Sequence, residues 1–465
     1  MRNTWKTTAG AAAVAVVLAG TAACGGGSND GDSSGKAANL KVVYAESGGS
    51  HALSDLFNAA KTQYEKDHPG GTVTLQPIDA SSADYRTKVA LMQRSPSTAP
   101  DVVYEDSFEI NADSSAGYLA SLDDYVKSWP DWSQYSSSIR AQGTATDGHL
   151  YAVPLATDTQ GIWYNKKVFQ RAGLPADWQP KTWNDILTAA RALKKLPGVT
   201  PMNVYVTKAQ DEQTTLRGVE NLISGTPGGL DATLYDSKTG KWVSNAQGML
   251  DALTFLHTAY TDGLLPSVAD MENPQLWNMA NDINFPAGKL GMMFDGSWIY
   301  GGWQPKDKGG TNPWPTWTTD AGWAAIPTQN GAAPGVTSMS GGWTLAVSAK
   351  SKHQDAAFDF LKDANTKANT LAYVVASGNL PPRTDVRDDP KYTASNPSAE
   401  FFAKLVDNTH FRPSLPVYPQ VSILIMEAAE TATVGKKDPQ QAFKTYNDAL
   451  GGTVGADKVQ QGATS

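Results

Sequence analysis

The residues best suited to do chemistry here are carboxylates at the ends of apolar runs, with tryptophans close beside them. Glu46 and Ser47 follow the run LKVVYA, and Glu105 and Asp106 close the run APDVVY. Asp158 lies in a short polar corner, Thr157-Asp158-Thr159, between two extended segments. Asp295 ends the run KLGMMF with Trp298 just after it, while Gly342 and Trp343 open the run TLAV. Arg383 follows Pro381 and Pro382. Carboxylates accept hydrogen bonds along the edge of a polar ligand, and an arginine donates a forked pair to hydroxyls or to a carboxyl. Indole faces carry the negative charge that polarised C–H bonds seek. Seven of the fourteen tryptophans lie between Trp277 and Trp343, a stretch where a core alone would draw more freely on Leu and Ile. The set therefore reads as a binding surface for something with both polar edges and apolar faces.

A catalytic reading takes two of these acids as a glycosidase pair, which needs carboxyls about 5–10 Å apart. No Walker loop and no H-E-x-x-H is present. The six histidines show no metal-ligand spacing, and Cys24 is the only cysteine, so neither a zinc site nor a cofactor is expected. The enzyme reading therefore has no motif behind it.

The elements that must position these residues alternate. LKVVYAES predicts a strand over 40–47, Gly48 and Gly49 a turn, and residues 53–66 a helix. TVTLQPI predicts a second strand over 72–78, residues 85–94 a helix, and APDVVYED a third strand over 99–106. This order predicts an α/β fold with a mainly parallel sheet flanked by helices, whose ligands sit beyond the carboxyl ends of the strands. Glu46, Ser47, Glu105 and Asp106 then share one rim. Further on, GIWYN resumes as a strand after the polar corner, Gly173 ends a short helix, and Thr182 with Asp185 makes a capping box for the next.

The N-terminus reads as an export signal. Arg2 and Lys6 precede an uncharged run over 9–20, shorter than the ~20 apolar residues a membrane span needs. Small residues then lead to Cys24, and GGGSNDGDSSGKAAN behaves as a tether. With the signal over 1–23 removed, the charge goes from 38 − 46 = −8 to 36 − 46 = −10. A body that acidic is a poor partner for nucleic acid, which demands clustered Lys and Arg. After a tether over 24–39, about 425 residues remain, too many for one core, so two domains or lobes are expected.

Residues 150–195 resemble the sugar-binding lipoproteins of bacterial ABC importers, the extracellular solute-binding family 1 that includes maltose-binding proteins. Asp158, Tyr164, Asn165, Gly173, Pro180, Thr182 and Trp183 stand at the matching places, and GKLGMMFDGSW, GGWTLAVSAKSKHQDAAFDFLK and GNLPPR follow in the family's order. Small residues before Cys24 resemble a lipobox, although Thr21 replaces the usual leucine. The resemblance implies a two-lobed periplasmic-binding-protein-like fold of type II, with a hinge. It puts 40–156 and 296–341 in the first lobe and 157–295 and 342–465 in the second. It implies a non-enzymatic, monomeric receptor on the outer face of the cell membrane, anchored by acylated Cys24 and partnered by permease subunits. Its carbohydrate ligand, a di- or oligosaccharide, would contact Asp158 and stack on Trp298 and Trp343, with Glu46, Ser47, Glu105, Asp106, Asp295, Gly342 and Arg383 around it. Peptides, amino acids or polyamines are the alternative ligands, and a cell-surface adhesion role would bind without lobe closure. The loop from Trp303 to Trp323 has no counterpart in the family pattern, and its role stays open.

Overall fold

The run LKVVYAE buries side chains on both of its faces. Leu40, Val42 and Tyr44 pack into one apolar cluster and Val43 into another with Tyr85 and Val89. A strand buried on both faces belongs inside a sheet covered on both sides, which is what parallel strands build. In this computed structural model, which describes residues 37–46, 51–80, 82–308 and 310–462, strand Asn39–Glu46 pairs in parallel with Thr72–Asp79 and with Val102–Asp106. Helices Ala52–Asp67 and Ser82–Gln93 connect them in the expected order. The signal segment, Cys24, nearly all of the tether and Ser47 lie outside the described residues.

The first sheet is completed from far along the chain. Gly342–Val347 runs antiparallel between Val102–Asp106 and Ala152–Thr157. Helices Gln354–Ala364 and Lys367–Ser377 then pack on helix Ala52–Asp67, burying Phe358, Phe360 and Leu361 in the same core as Val42 and Tyr64. The second sheet joins Gln160–Asn165, Leu290–Gly296, Thr200–Asn203 and Ala321–Ala324. Its core takes the helices Trp183–Leu193, Gln247–Thr261, Tyr418–Ala432 and Pro439–Val454. Thr182 caps the first of these through the expected reciprocal box with Asp185.

Two boundaries differ from the expectation. The family resemblance puts residues 296–341 in the first lobe, yet Ala321–Ala324 pairs with Gln160–Asn165 of the second sheet, and Ile326 and Met339 sit in the second core. It puts residues 342–465 in the second lobe, yet 342–377 complete the first. A strand inserted between two others satisfies ladder bonds on both edges, and pairing of that kind is invisible to local pattern. The chain thus passes between lobes at Asp158–Thr159, at Gly341, and again near residues 399–402, where Ala399 joins the first core and Phe402 packs against Trp163 of the second sheet.

The tryptophan-rich loop turns out to be a small core of its own. Trp303, Trp314 and Trp317 are buried with Phe285 and Trp163, Trp303 lying 5.2 Å from Trp314 and 5.6 Å from Phe285. Stacked packing on Phe285 and edge-to-face packing on Trp314 hold this Pro/Gly-rich segment, whose regular structure is limited to short pieces such as helix Trp317–Asp320 and strand Ala321–Ala324. Only Trp323 stays half-buried there, with the Lys166 ammonium 5.4 Å above its ring.

Candidate functional site

Asp158 occupies the corner between Ala152–Thr157 and Gln160–Asn165, on one of the crossings between lobes. Its Oδ1 accepts from the Gly341 N–H on the neighbouring crossing at 3.2 Å, and its carbonyl accepts from the Ser340 hydroxyl at 2.5 Å. Burial pushes its carboxyl up to about 6, against the pull of the Gly341 N–H and of the Arg412 and Arg217 guanidinium groups. A side chain at Gly341 would meet both Asp158 Oδ2 and Arg412 Nη2, at 3.5 and 3.7 Å, so the two groups face the same small space.

Arg412, just past strand Thr409–Phe411, reaches across the cleft. It lies 3.3 Å from Asp106 of the first lobe and 3.3 Å from Glu212 of the second, and its guanidinium sits 4.1 Å above the Phe108 ring. Phe108 belongs to the loop after the first-lobe strand but inserts into the second core against Tyr418. Arg86 repeats the bridge beside it, 3.4 Å from Glu109 and 3.5 Å from Asp211. Below Arg412, Glu220 is buried with Oε1 accepting from the Tyr418 hydroxyl at 2.8 Å, and burial pushes its carboxyl up to about 8.

Glu105 and Asp106 part company because successive strand residues face opposite sides. Asp106 meets Arg412, whereas Glu105 is buried in a carboxyl cluster with Asp113 and Glu109, burial and those two acids raising it well above the carboxylate range. Glu105 therefore does not join Asp158. Glu46 sits on the neighbouring strand, where Val43 opposite Val103 brings it to the level of Asp106, and it accepts from the Ser54 hydroxyl at 2.7 Å. Gly342 packs where a side chain would come within 2.6 Å of the Ala156 carbonyl, and its φ of +149° suits glycine. Trp343 stands opposite Asp106 in register, half-buried, one face stacked on Tyr104 at 4.4 Å.

Asp295 and Arg383, expected as ligand contacts, are both committed elsewhere. Asp295 is fully buried and every bond it makes is internal: the Gly296 N–H, Arg217, the Tyr205 hydroxyl and Asn281. Arg217 and Asn281 come from two separate π-helical segments, Thr214–Glu220 and Met279–Asn284, that converge on this one carboxylate; such segments often mark functional sites. Arg217 in turn lies with its guanidinium 4.9 Å over the half-buried Trp298 ring and 5.6 Å over Tyr205. Asp295 thus positions Arg217 against Trp298. Arg383 is only 2% exposed and its donors go to Asp385, Asp131 and the Asn365 carbonyl, which ties down the start of helix Thr384–Arg387 within the first lobe.

Arg217, Arg412, Glu212 and Tyr205 went unread in the sequence. A local signal exists for Arg412, the lone charge in FRPSLPVYP. Nothing local marks Arg217, because its partner is remote in sequence and its helix winds with five-residue bonds that shift which side chains share a face. Among the described residues no group of three or more His, Cys, Asp or Glu is placed to hold a metal, and no helix is long and apolar enough to cross a membrane.

Two lobes joined by crossings, one of which carries an acid, with arginines and half-buried indoles on the adjoining elements, define a solute receptor of the two-lobed type. The model of bacterial extracellular solute-binding proteins matches residues 48–370, and the chain belongs to that family. Among similar proteins, an uncharacterized ABC transporter extracellular-binding protein of Pyrococcus horikoshii is 26% identical over 56% of this chain and 57% of its own length, so this match spans little more than half of that relative. A second from the same organism is 24% identical over 72% of this chain and 70% of its own. Among solved structures, a Thermotoga lettingae solute-binding protein bound with α-D-tagatose has a TM-score of 0.74 at 21% identity, covering 90% of this chain and 100% of that one. Maltose-bound T. maritima MalE3 also scores 0.74 at 21%, covering 88% and 98%. The acarbose receptor GacH of Streptomyces glaucescens scores 0.70 at 23%, covering 90% and 99%. These likenesses establish the two-lobed fold.

Proposed function

We propose that this protein is the extracytoplasmic receptor of an ABC importer and that it captures a di- or oligosaccharide between its lobes. The observation that carries the reading is Asp158, which lies on a crossing between lobes bonded to the Gly341 N–H and faces Arg412 and Arg217, the latter stacked over Trp298; in this reading Trp298 and Trp343 supply the indole faces. A sugar presents hydroxyls at its edge and C–H patches on its faces, and these groups answer both needs. The similar solute-binding proteins solved with tagatose, maltose and acarbose support the same class. Contacts made by both lobes exist only when the lobes are together, so ligand shifts the population towards the closed form, which permease subunits would read. Acylated Cys24 would hold this monomeric body at the outer face of the membrane. No step of bond breaking is needed.

Asp158→Ala and Trp298→Ala are each expected to weaken sugar binding at least about tenfold, or 1.4 kcal/mol, by calorimetric titration. Wild-type affinity in both would sink the site. Gly296→Ala is a milder probe of the same indole. A Cβ there would come within 1.9 Å of the Trp298 ring, so the ring must swing off Arg217. About a tenfold loss of affinity with little change in melting temperature is expected, since the backbone has no need to move. A thermal-shift panel of mono- and oligosaccharides identifies the ligand, because saturation at ~100 times Kd adds about 2.7 kcal/mol. Shifts from amino acids or polyamines, with none from sugars, would overturn the carbohydrate reading.

A further inference from the structure

Both arginines at the site already have carboxylate partners. Arg412 is held by Asp106 and Glu212, and Arg217 by Asp295 at 3.0 Å. Both guanidinium groups also act on Asp158, a fourth acid in the same space. Two cations therefore stand among four carboxyls, Asp106, Asp158, Glu212 and Asp295. A site built to seize a phosphate or a uronate keeps its guanidinium forks open to that anion. Here an incoming anion would have to displace a carboxylate from its arginine, half-buried at Arg412 and fully buried at Arg217, and leave it beside further negative charge, the arrangement that rejects a wrong ligand.

On these two arginines, one donor is buried without an acceptor among the described residues. It is the Nε–H of Arg217, directly at the face of Trp298, where the guanidinium stacks. Since the charge of Arg217 is balanced by Asp295, that N–H suits an uncharged oxygen such as a hydroxyl or a ring ether.

We infer that Glu212 and Asp295 are specificity-determining residues that mask the two arginines, so that the site accepts uncharged polyols and rejects anionic solutes, with Arg217 Nε reading a neutral oxygen beside Trp298. This rests on the carbohydrate reading and narrows it. The test is a thermal-shift and calorimetric comparison on the whole protein. Maltose, cellobiose and xylobiose serve as neutral probes, and glucose 6-phosphate, glucuronate and sn-glycerol 3-phosphate as anionic ones. At least one neutral sugar is expected to raise Tm and none of the anions. Glu212→Gln leaves Arg412 with one carboxylate partner and is expected to gain at least about tenfold in affinity for glucose 6-phosphate. Asp106→Asn unmasks the same arginine from the other lobe and serves where the first variant does not fold. An anion that binds the wild type as tightly as a neutral sugar overturns the inference and leaves the receptor reading standing, as does failure of both folded variants to gain any anion affinity. Silence from every neutral sugar overturns the carbohydrate reading and the inference together.

Discussion

Replacing Asp295 by alanine is expected to destabilise the protein by about 3–5 kcal/mol, read as a lower midpoint in urea unfolding. The carboxylate is fully buried and takes four partners, so its removal leaves the Arg217 charge in a poorly solvated place, bonded to Gln213 and facing Asp158 but without the carboxylate that pairs with it. It also takes the acceptor from the Tyr205 hydroxyl and one of two acceptors from the Asn281 amide, which keeps the Trp277 carbonyl. Both π-helical segments close on this residue, so the loss should be felt by Trp298 as well, through Arg217. A variant that unfolds at the wild-type midpoint would show that the buried pair contributes nothing net. Ligand affinity in the folded fraction separates the two effects: if Asp295 touched ligand directly, Asp295→Asn, which keeps shape and loses charge, would lose affinity as fully as the alanine variant.

Glu220→Gln is expected to stabilise the protein in mildly alkaline buffer and to flatten its dependence on pH. Burial lifts the Glu220 carboxyl from 4.5 to about 8 in the folded chain. A group raised on folding contributes stability that is fully present below the unfolded value and is lost as pH rises through the folded one. Between about pH 4.5 and 8, then, Glu220 makes the wild type progressively less stable. Glu109, raised to about 7, and Asp158, raised to about 6, tilt the curve the same way. Glutamine stays neutral throughout and its Oε1 still accepts from Tyr418, so a gain of roughly 2 kcal/mol near pH 9 is expected after the cost of burying an amide donor where Oε2 has no partner. Unfolding curves at about pH 6 and 9 decide it. A wild type that grows more stable over that interval, or a variant with the same slope, would contradict the burial of a neutral acid at this position.

The alternation of strand and helix over residues 39–106 was legible because each apolar run obeys one period: Leu40, Val42 and Tyr44 on one side of a strand, Leu56, Phe57, Ala60 and Tyr64 along one stripe of a helix. The capping box at Thr182 and the corner at Asp158 were legible because caps and turns are made by neighbours in sequence. Such local rules also led to Trp298 and Trp343, each beside a strand end.

Pairing over long distances was not legible. The strand Gly342–Val347 looks like any apolar strand, and only its insertion between Val102–Asp106 and Ala152–Thr157 gives it to the first lobe. Asp295 looked like Asp106, an acid at the end of an apolar strand, yet burial and four internal partners made it an anchor while Asp106 faces Arg412. Arg383 was open to either reading until Asp131 and Asp385 closed around it.

By itself the sequence determined the kinds of element, their order in the first half of the body, the family pattern, and the acid and indoles near the crossings, because period, capping and turn chemistry act over a few residues. Only the tertiary structure decided which lobe each late segment joins and which charges remain free. Those follow from ladder bonds and ion pairs between groups as distant as Asp106 and Arg412, whose meeting depends on the burial of everything between them.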